Sequence, residues 1–348
     1  MEMIHGGDIF RNDVKLDFSV NVNPFGIPES VRKSLEKAVE QCMTYPDIRA
    51  EKLLCSVSSM LQIPKENLVF GNGASELFMA LLHAVRPSKV VIPVPSFYGY
   101  EHAAKAVTKD IVYYEMKESN GFLPDEGLFS FLTEDTGLLF LANPNNPTGV
   151  LMEKAYLLRL FAHCRARDIY VVLDECFIEF CEHDASMLSE MLRFENVILI
   201  RAFTKIFAIP GVRLGYLVCS EPLLREHIVR QLPEWNLSVF AQEAGIACCE
   251  EADYRTRTAG LVRTEREYLI QELKKNHDIC SRIYPGTANF ILLYSNYPLY
   301  ERLLKKGILI RNCGNFRGLT SGYYRIAVRT REENEALLGA VGEINWND

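Results

Sequence analysis

No apolar run in this 348-residue chain approaches the roughly 18 residues that a membrane span needs, so no membrane-embedded segment is expected. The opening, MEMIHGGDIF, lacks the basic and apolar blocks of a secretory signal, which makes the cytoplasm the expected compartment. Clusters of Lys and Arg are missing as well, and the formal net charge is -7. Phosphate backbones are bound through such clusters, so a small molecule is expected as partner and a nucleic acid is not. Neither C-x-x-C nor H-E-x-x-H occurs, and no metal site is expected. The ten cysteines are scattered, and several sit inside apolar runs (Cys176, Cys219, Cys248). In a chain too long for a stapled mini-domain they read as reduced core residues.

What is present is the balance of an ordinary globular protein, 48% apolar and 24% charged. The length exceeds what one core usually supports, so two closely packed domains are expected. From about residue 67 to 220, short β-branched or aromatic runs alternate with amphipathic stretches such as SELFMALLHAV and EKAYLLRLFAHCRAR, the pattern of a mostly parallel α/β sheet with helical crossovers. Seven strands are predicted, over 68–70, 90–94, 111–114, 138–142, 170–173, 197–200 and 214–219. The chain starts with an irregular arm, LDFSVNVNPFGIP, and one helix, VRKSLEKAVEQC; a long helical region runs from Ser238 to about Asn276, and an α+β segment ends near Trp346. The expected division is an arm and helix over 1–42, a large domain over 43–234 and a small domain over 235–348.

Four motifs carry chemistry. In LVFGNGASELFMALL a strand runs through Gly71-Asn72-Gly73-Ala74-Ser75 straight into a helix. Free N–H groups at such a helix start suit a phosphate, although a plain glycine turn with a serine cap reads equally well. A dinucleotide fingerprint would want glycine where Glu76 stands. In FLANPNNPTGV a strand ends in a proline-stiffened turn, where Asn146 could offer its amide to a ring oxygen. IYVVLDECF places Asp174 at the end of an apolar strand, where a carboxylate needs a cationic partner or serves as a helix cap. RAFTKIFAIPGVRLGYLV sets Lys205 in apolar surroundings with Arg213 eight residues on. A desolvated lysine has a lowered pKa and becomes an amine able to condense with carbonyls; most single lysines are simply solvated surface.

In order and spacing the four motifs resemble the aminotransferase class I and II superfamily, the fold-type I enzymes dependent on pyridoxal 5'-phosphate (PLP). The resemblance implies that Gly73, Ala74, Ser75, Thr204 and Arg213 hold the cofactor phosphate, that Phe97 stacks on the ring and that Asn146 contacts its hydroxyl. It further implies that Asp174 pairs with the ring nitrogen, that Lys205 carries the cofactor, and that the protein is a homodimer in which Tyr45, in MTYPD, reaches the partner's cofactor. Two branches are similar: the threonine-phosphate decarboxylases of the cobalamin pathway and the histidinol-phosphate aminotransferases. The decarboxylase branch is resembled end to end, through HGGDI, LDFSVNVNPFGIPESV, LDECFIEF and ILIRNCGNFRGLTSGYYRIAVRT. Phe177 stands where the aminotransferase branch has a tyrosine, and Ala202 where many members have a phosphate-binding serine. The resemblance assigns the substrate carboxylate to Arg325 and its phosphate to Arg311, with His5 and Asn21 of the arm nearby. His5 reads equally as a loose terminal residue. The expected reaction is loss of carbon dioxide from a phosphorylated amino acid, with transamination as the alternative.

Overall fold

The computed structural model describes residues 5–181 and 184–343; the first four residues of the arm and Trp346 lie outside the described residues. All seven predicted strands form, as Leu68–Gly71, Lys89–Val94, Ile111–Glu115, Thr136–Ala142, Tyr170–Asp174, Val197–Ala202 and Gly215–Cys219. They make one sheet, ordered Leu68–Gly71, Gly215–Cys219, Val197–Ala202, Tyr170–Asp174, Thr136–Ala142, Lys89–Val94, Ile111–Glu115. Only Gly215–Cys219 runs against its neighbours. The central strands are apolar at consecutive positions because both faces are covered. Leu139, Leu141 and Leu173 face a core that includes Leu157, Leu160 and Phe161 of the helix Lys154–Arg165. Leu138, Phe140 and Val172, one residue out of phase, face Leu77, Phe78 and Leu81 of the helix Ala74–Val85.

A second, antiparallel sheet is ordered Arg311–Asn312, Tyr323–Ala327, Phe290–Tyr294, Arg282–Tyr284. The arm joins this part of the chain: Leu16–Asp17 pairs in parallel with Ile308–Leu309, and Phe18 is buried with Ile291, Leu293 and Ile326. The helical region after Ser238 is two helices, Val239–Cys249 and Ala252–Lys275, interrupted at Glu250 and Glu251. The interruption lets the first lie against Glu29–Ala38 and Glu51–Leu61. The second carries Leu269 and Leu273 into the C-terminal core. The helix expected over VRKSLEKAVEQC is α-helical only through Ala38 and tightens to a 3-10 helix over Val39–Met43.

All ten cysteines are free, but Cys42 and Cys55 are exposed, correcting the expectation that every one is a core residue. Both lie on helices outside the apolar runs that bury Cys176, Cys219 and Cys248 at least in part. Among the described residues no helix is long and apolar enough to cross a membrane, and no group of three His, Cys, Asp or Glu side chains could hold a metal ion.

Candidate active site

The carboxyl ends of the central strands open into a cavity of about 780 Å³, which the arm and the stretch 311–325 also line. Into its wall the fold brings His5, Asn21, Ala74, Ser75, Phe97, Asn146, Asp174, Phe177, Thr204, Lys205, Arg213, Arg311 and Arg325. Gly73 stands immediately behind the wall as the N-cap of Ala74–Val85, with a φ of 77°. A Cβ there would meet the Arg213 guanidinium at 2.3 Å, so glycine is what allows the arginine to lie across the helix start. Arg213 is itself in the left-handed region, φ 62°, and its Nη1 donates to the Pro210 carbonyl at 3.1 Å. Ser75 and Thr204 line the same cavity, and Ala202 beside them adds no polar side-chain atom. A helix N-terminus, two hydroxyl-bearing residues and a guanidinium in one cavity have the chemistry to hold a phosphate dianion.

Asp174 ends the strand Tyr170–Asp174 and is buried. Its Oδ1 accepts the Cys176 backbone N–H at 2.9 Å, and its Oδ2 accepts the Tyr100 hydroxyl at 2.6 Å. Burial pushes its pKa up, against hydrogen bonds from the Cys176 thiol, the Tyr100 hydroxyl and the Cys176 N–H, which favour the ionised form. Lys205 lies on the single turn Phe203–Ile206 after the strand Val197–Ala202. No acidic side chain bonds its ammonium group among the described residues, and its pKa is brought down to about 8, mainly by burial and next by the charge of Arg325. Phe177 is buried edge-on against Phe290 at 5.2 Å, and Phe97 against Tyr100 at 5.6 Å.

Arg325, on the strand Tyr323–Ala327, is buried over the ring of Phe290. It donates from Nη1 to Asn146 Oδ1 and from Nη2 to the Ser19 carbonyl at 2.9 Å, while its Nε has no partner among the described residues. With only neutral oxygens bound, it is lowered to about 10, chiefly by burial, with Arg311 adding repulsion. Arg311 is also buried, donates to Asn315 Oδ1 at 2.8 Å and to the Asn312 carbonyl, and is lowered by burial. Asn21 has a buried Oδ1 without a partner among the described residues. His5 sits on the wall 5.9 Å from the Phe97 ring, one side still exposed; burial of the other side and the nearby Arg311 lower its pKa.

Tyr45 is not brought to this cavity. Its ring is 80% exposed and packs on Trp235 at 4.9 Å. Sequence reasoning missed Tyr100, although it lies three residues beyond Phe97 in VPSFYGYE, because nothing local ties it to Asp174. It also missed the cluster in which buried Glu101 takes Lys105 at 2.5 Å and Arg317 at 3.4 Å, with Arg317 stacked 3.9 Å over Tyr113. The Glu101–Lys105 spacing was the available signal for half of that cluster.

Known proteins are similar to this chain over nearly its whole length. The chain is 33% identical over 351 residues to threonine-phosphate decarboxylase of Salmonella typhimurium, covering 98% of this chain and 96% of that protein. It is 29% identical over 333 residues to histidinol-phosphate aminotransferase of Methanococcus maripaludis, covering 93% of this chain and 88% of that one. Among solved structures, histidinol-phosphate aminotransferase of Clostridium acetobutylicum superimposes with a TM-score of 0.88 at 31% identity, over 93% of this chain and 97% of that one. The family model for aminotransferase class I and II matches residues 13–341, and the chain belongs to that family.

Proposed function

We propose that this chain is a PLP-dependent decarboxylase of L-threonine O-3-phosphate. The observation that carries the reading is the pair of buried guanidiniums, Arg311 and Arg325, in the wall that also holds Lys205 and Asp174. A substrate bearing a phosphate and a carboxylate needs two cationic anchors. The salmonella relative, whose name carries this activity, is similar over nearly the whole of both chains.

The residues fit the cofactor. The glycine-lined corner that a Cβ at 73 would fill suits its phosphate, through Ala74, Ser75, Thr204 and Arg213. Asp174 would face its ring nitrogen, Asn146 its hydroxyl and Phe97 its ring, while Lys205 would hold it covalently. When bound, PLP supplies an electron sink for the bond that breaks at the substrate's Cα. The protein's part is positioning. Arg325 would hold the carboxylate and Arg311 the phosphate, with His5 and Asn21 of the arm beside it, so that binding energy far from Cα sets the angle at which its bonds are presented. Lys205 Nζ, neutral in substantial part near pH 8, can take up a proton and deliver it to Cα once carbon dioxide has left. Phe177 offers no hydrogen bond to the ring hydroxyl, a departure from the aminotransferase tyrosine worth about 0.5 to 1.5 kcal/mol.

The working unit in this reading is a homodimer. Its support is the exposed apolar group of Met43, Tyr45, Ile48 and Trp235, which places the Tyr45 ring where a second copy could take it up. The division into an arm, a large cofactor domain and a small domain belongs to the same reading. Its support is that Ile291, Leu293, Tyr324 and Ile326 of the second sheet have a hydrophobic cluster of their own, although Phe290 joins the large core and Leu292 and Tyr323 pack with Met116 and Phe122.

Purified enzyme loaded with PLP should release carbon dioxide and 1-amino-2-propanol phosphate from L-threonine O-3-phosphate with no 2-oxoglutarate present. Serine phosphate, one methyl smaller, should be a poorer substrate by about 1 to 3 kcal/mol. The second reading, transamination of histidinol phosphate, is favoured by the solved structure at 31% identity. It would be established by 2-oxoglutarate-dependent turnover of histidinol phosphate without carbon dioxide release from either phosphoamino acid, and that result would reject the decarboxylase.

A further inference from the structure

We infer that Tyr100 is a positioning residue that acts through Asp174: its hydroxyl holds Oδ2 so that Asp174 stays a carboxylate, and the proton shared with a cofactor ring nitrogen stays on the nitrogen. The inference deepens the proposed cofactor reading and rests on it.

The geometry leaves the Tyr100 hydroxyl little choice of place. Its ring is fully buried, stacked on Phe140 at 4.8 Å and 10°, and met edge-on by Phe78 at 5.2 Å and by Phe97 at 5.6 Å. The helix Tyr98–Ala104 that carries it begins one residue after Phe97, so the aromatic wall of the cavity and the hydroxyl are set by one turn of chain. The hydroxyl then reaches Asp174 Oδ2 at 2.6 Å. Surrounded by hydrocarbon and next to a carboxylate, the phenol is pushed well above its ordinary pKa, so it acts only as a donor.

Burial pushes the Asp174 pKa up, and the charge of Glu175 next to it works the same way, so each donor on its oxygens opposes the shift. Glu175 turns away, onto Arg201 at 2.7 Å, which leaves Asp174 with the Cys176 thiol and N–H and the Tyr100 hydroxyl; of these Tyr100 alone reaches it from another strand's helix. A carboxylate paired with a protonated ring nitrogen shares one proton with it, and the proton resides on the more basic partner. Each hydrogen bond to the carboxylate makes it the weaker base. Removing the hydroxyl therefore moves the proton toward Asp174 and makes the ring a poorer acceptor of electrons. A residue that merely filled the core would have no such effect. Phenylalanine supplies the same three ring contacts and lacks only the oxygen.

The test is nitrogen-15 NMR of PLP labelled in the ring and bound to the holoenzyme. The wild-type resonance is expected in the pyridinium range and that of Tyr100→Phe displaced toward neutral pyridine. A chain with 2,3-difluorotyrosine at position 100, a stronger donor of almost unchanged shape, is expected to displace the resonance the opposite way. The fluorinated chain also keeps the test decisive if Tyr100→Phe fails to fold. Should the cofactor bind and all folded variants give the wild-type resonance, the inference falls while the cofactor reading stands. Should the wild-type chain take up no PLP, the cofactor reading falls and takes the inference with it.

Discussion

Replacing Arg325 with methionine should move stability and substrate binding in opposite directions. The guanidinium is buried and its pKa is down to about 10, against an ordinary value of about 12.5. At 1.36 kcal/mol for each pH unit, the fold carries about 3 kcal/mol of cost for keeping that charge out of water. Methionine fills similar volume with a flexible apolar chain and removes the cost. It also removes the hydrogen bonds to Asn146 Oδ1 and the Ser19 carbonyl, each worth about 0.5 to 1.5 kcal/mol. The balance lies between no change and a gain of about 2 kcal/mol, so the melting temperature of the cofactor-free Arg325→Met protein should hold or rise by a few degrees. Binding of L-threonine O-3-phosphate should weaken by about 1.5 to 3 kcal/mol, roughly 10- to 150-fold in KM, because a charge-assisted pair with the carboxylate is lost. Thermal unfolding of the cofactor-free proteins and steady-state kinetics of the loaded ones read the two effects separately. A variant that melts many degrees lower yet keeps its KM would show that Arg325 is a structural tie and would refute the anchor.

Two further outcomes are expected. Labelling of the cofactor-free protein by a carbonyl reagent with borohydride, followed by peptide mass mapping, should modify Lys205 with a midpoint near pH 8: the reactive form is the neutral amine, so labelling rises with pH through the lowered pKa. A midpoint at or above pH 10, where solvated lysines titrate, would mean that the amine is not desolvated. Hybrid dimers of Tyr45→Phe and Lys205→Ala subunits should recover the wild-type rate at the one intact lysine, because its tyrosine comes from the other subunit; a hybrid as slow as the Tyr45→Phe homodimer would place the tyrosine in its own subunit's site.

Much of this was legible in the chain because the central strands are buried on both faces. Runs such as VVIPV and LLFLA leave no alternative to an interior strand, and the glycine turn before SELFMALLHAV needs no partner to be recognised. Legibility failed where structure depends on what lies across the core. The bond from Tyr100 to Asp174 spans 74 residues and has no period. The interruption at Glu250 and Glu251 has neither glycine nor proline to announce it; it follows from two helices packing on different partners. Tyr45 illustrates a third limit: within one chain its ring is 80% exposed and away from the cavity, so the role that the resemblance implies for it lies outside the packing of a single copy.

Arg325 binds Ser19 from 306 positions away and Asn146 from 179. During synthesis the central sheet, with its glycine corner and its lysine, is complete well before residue 325 emerges from the ribosome. For that interval the glycine corner lacks the strand that completes the cavity wall. In the proposed reading a cofactor meeting the nascent chain would find the residues for its phosphate without those of Arg325's strand, and the full wall exists only after nearly the whole polypeptide has emerged. Truncations a few dozen residues short of the C-terminus should accordingly keep the sheet and lose the full cavity wall.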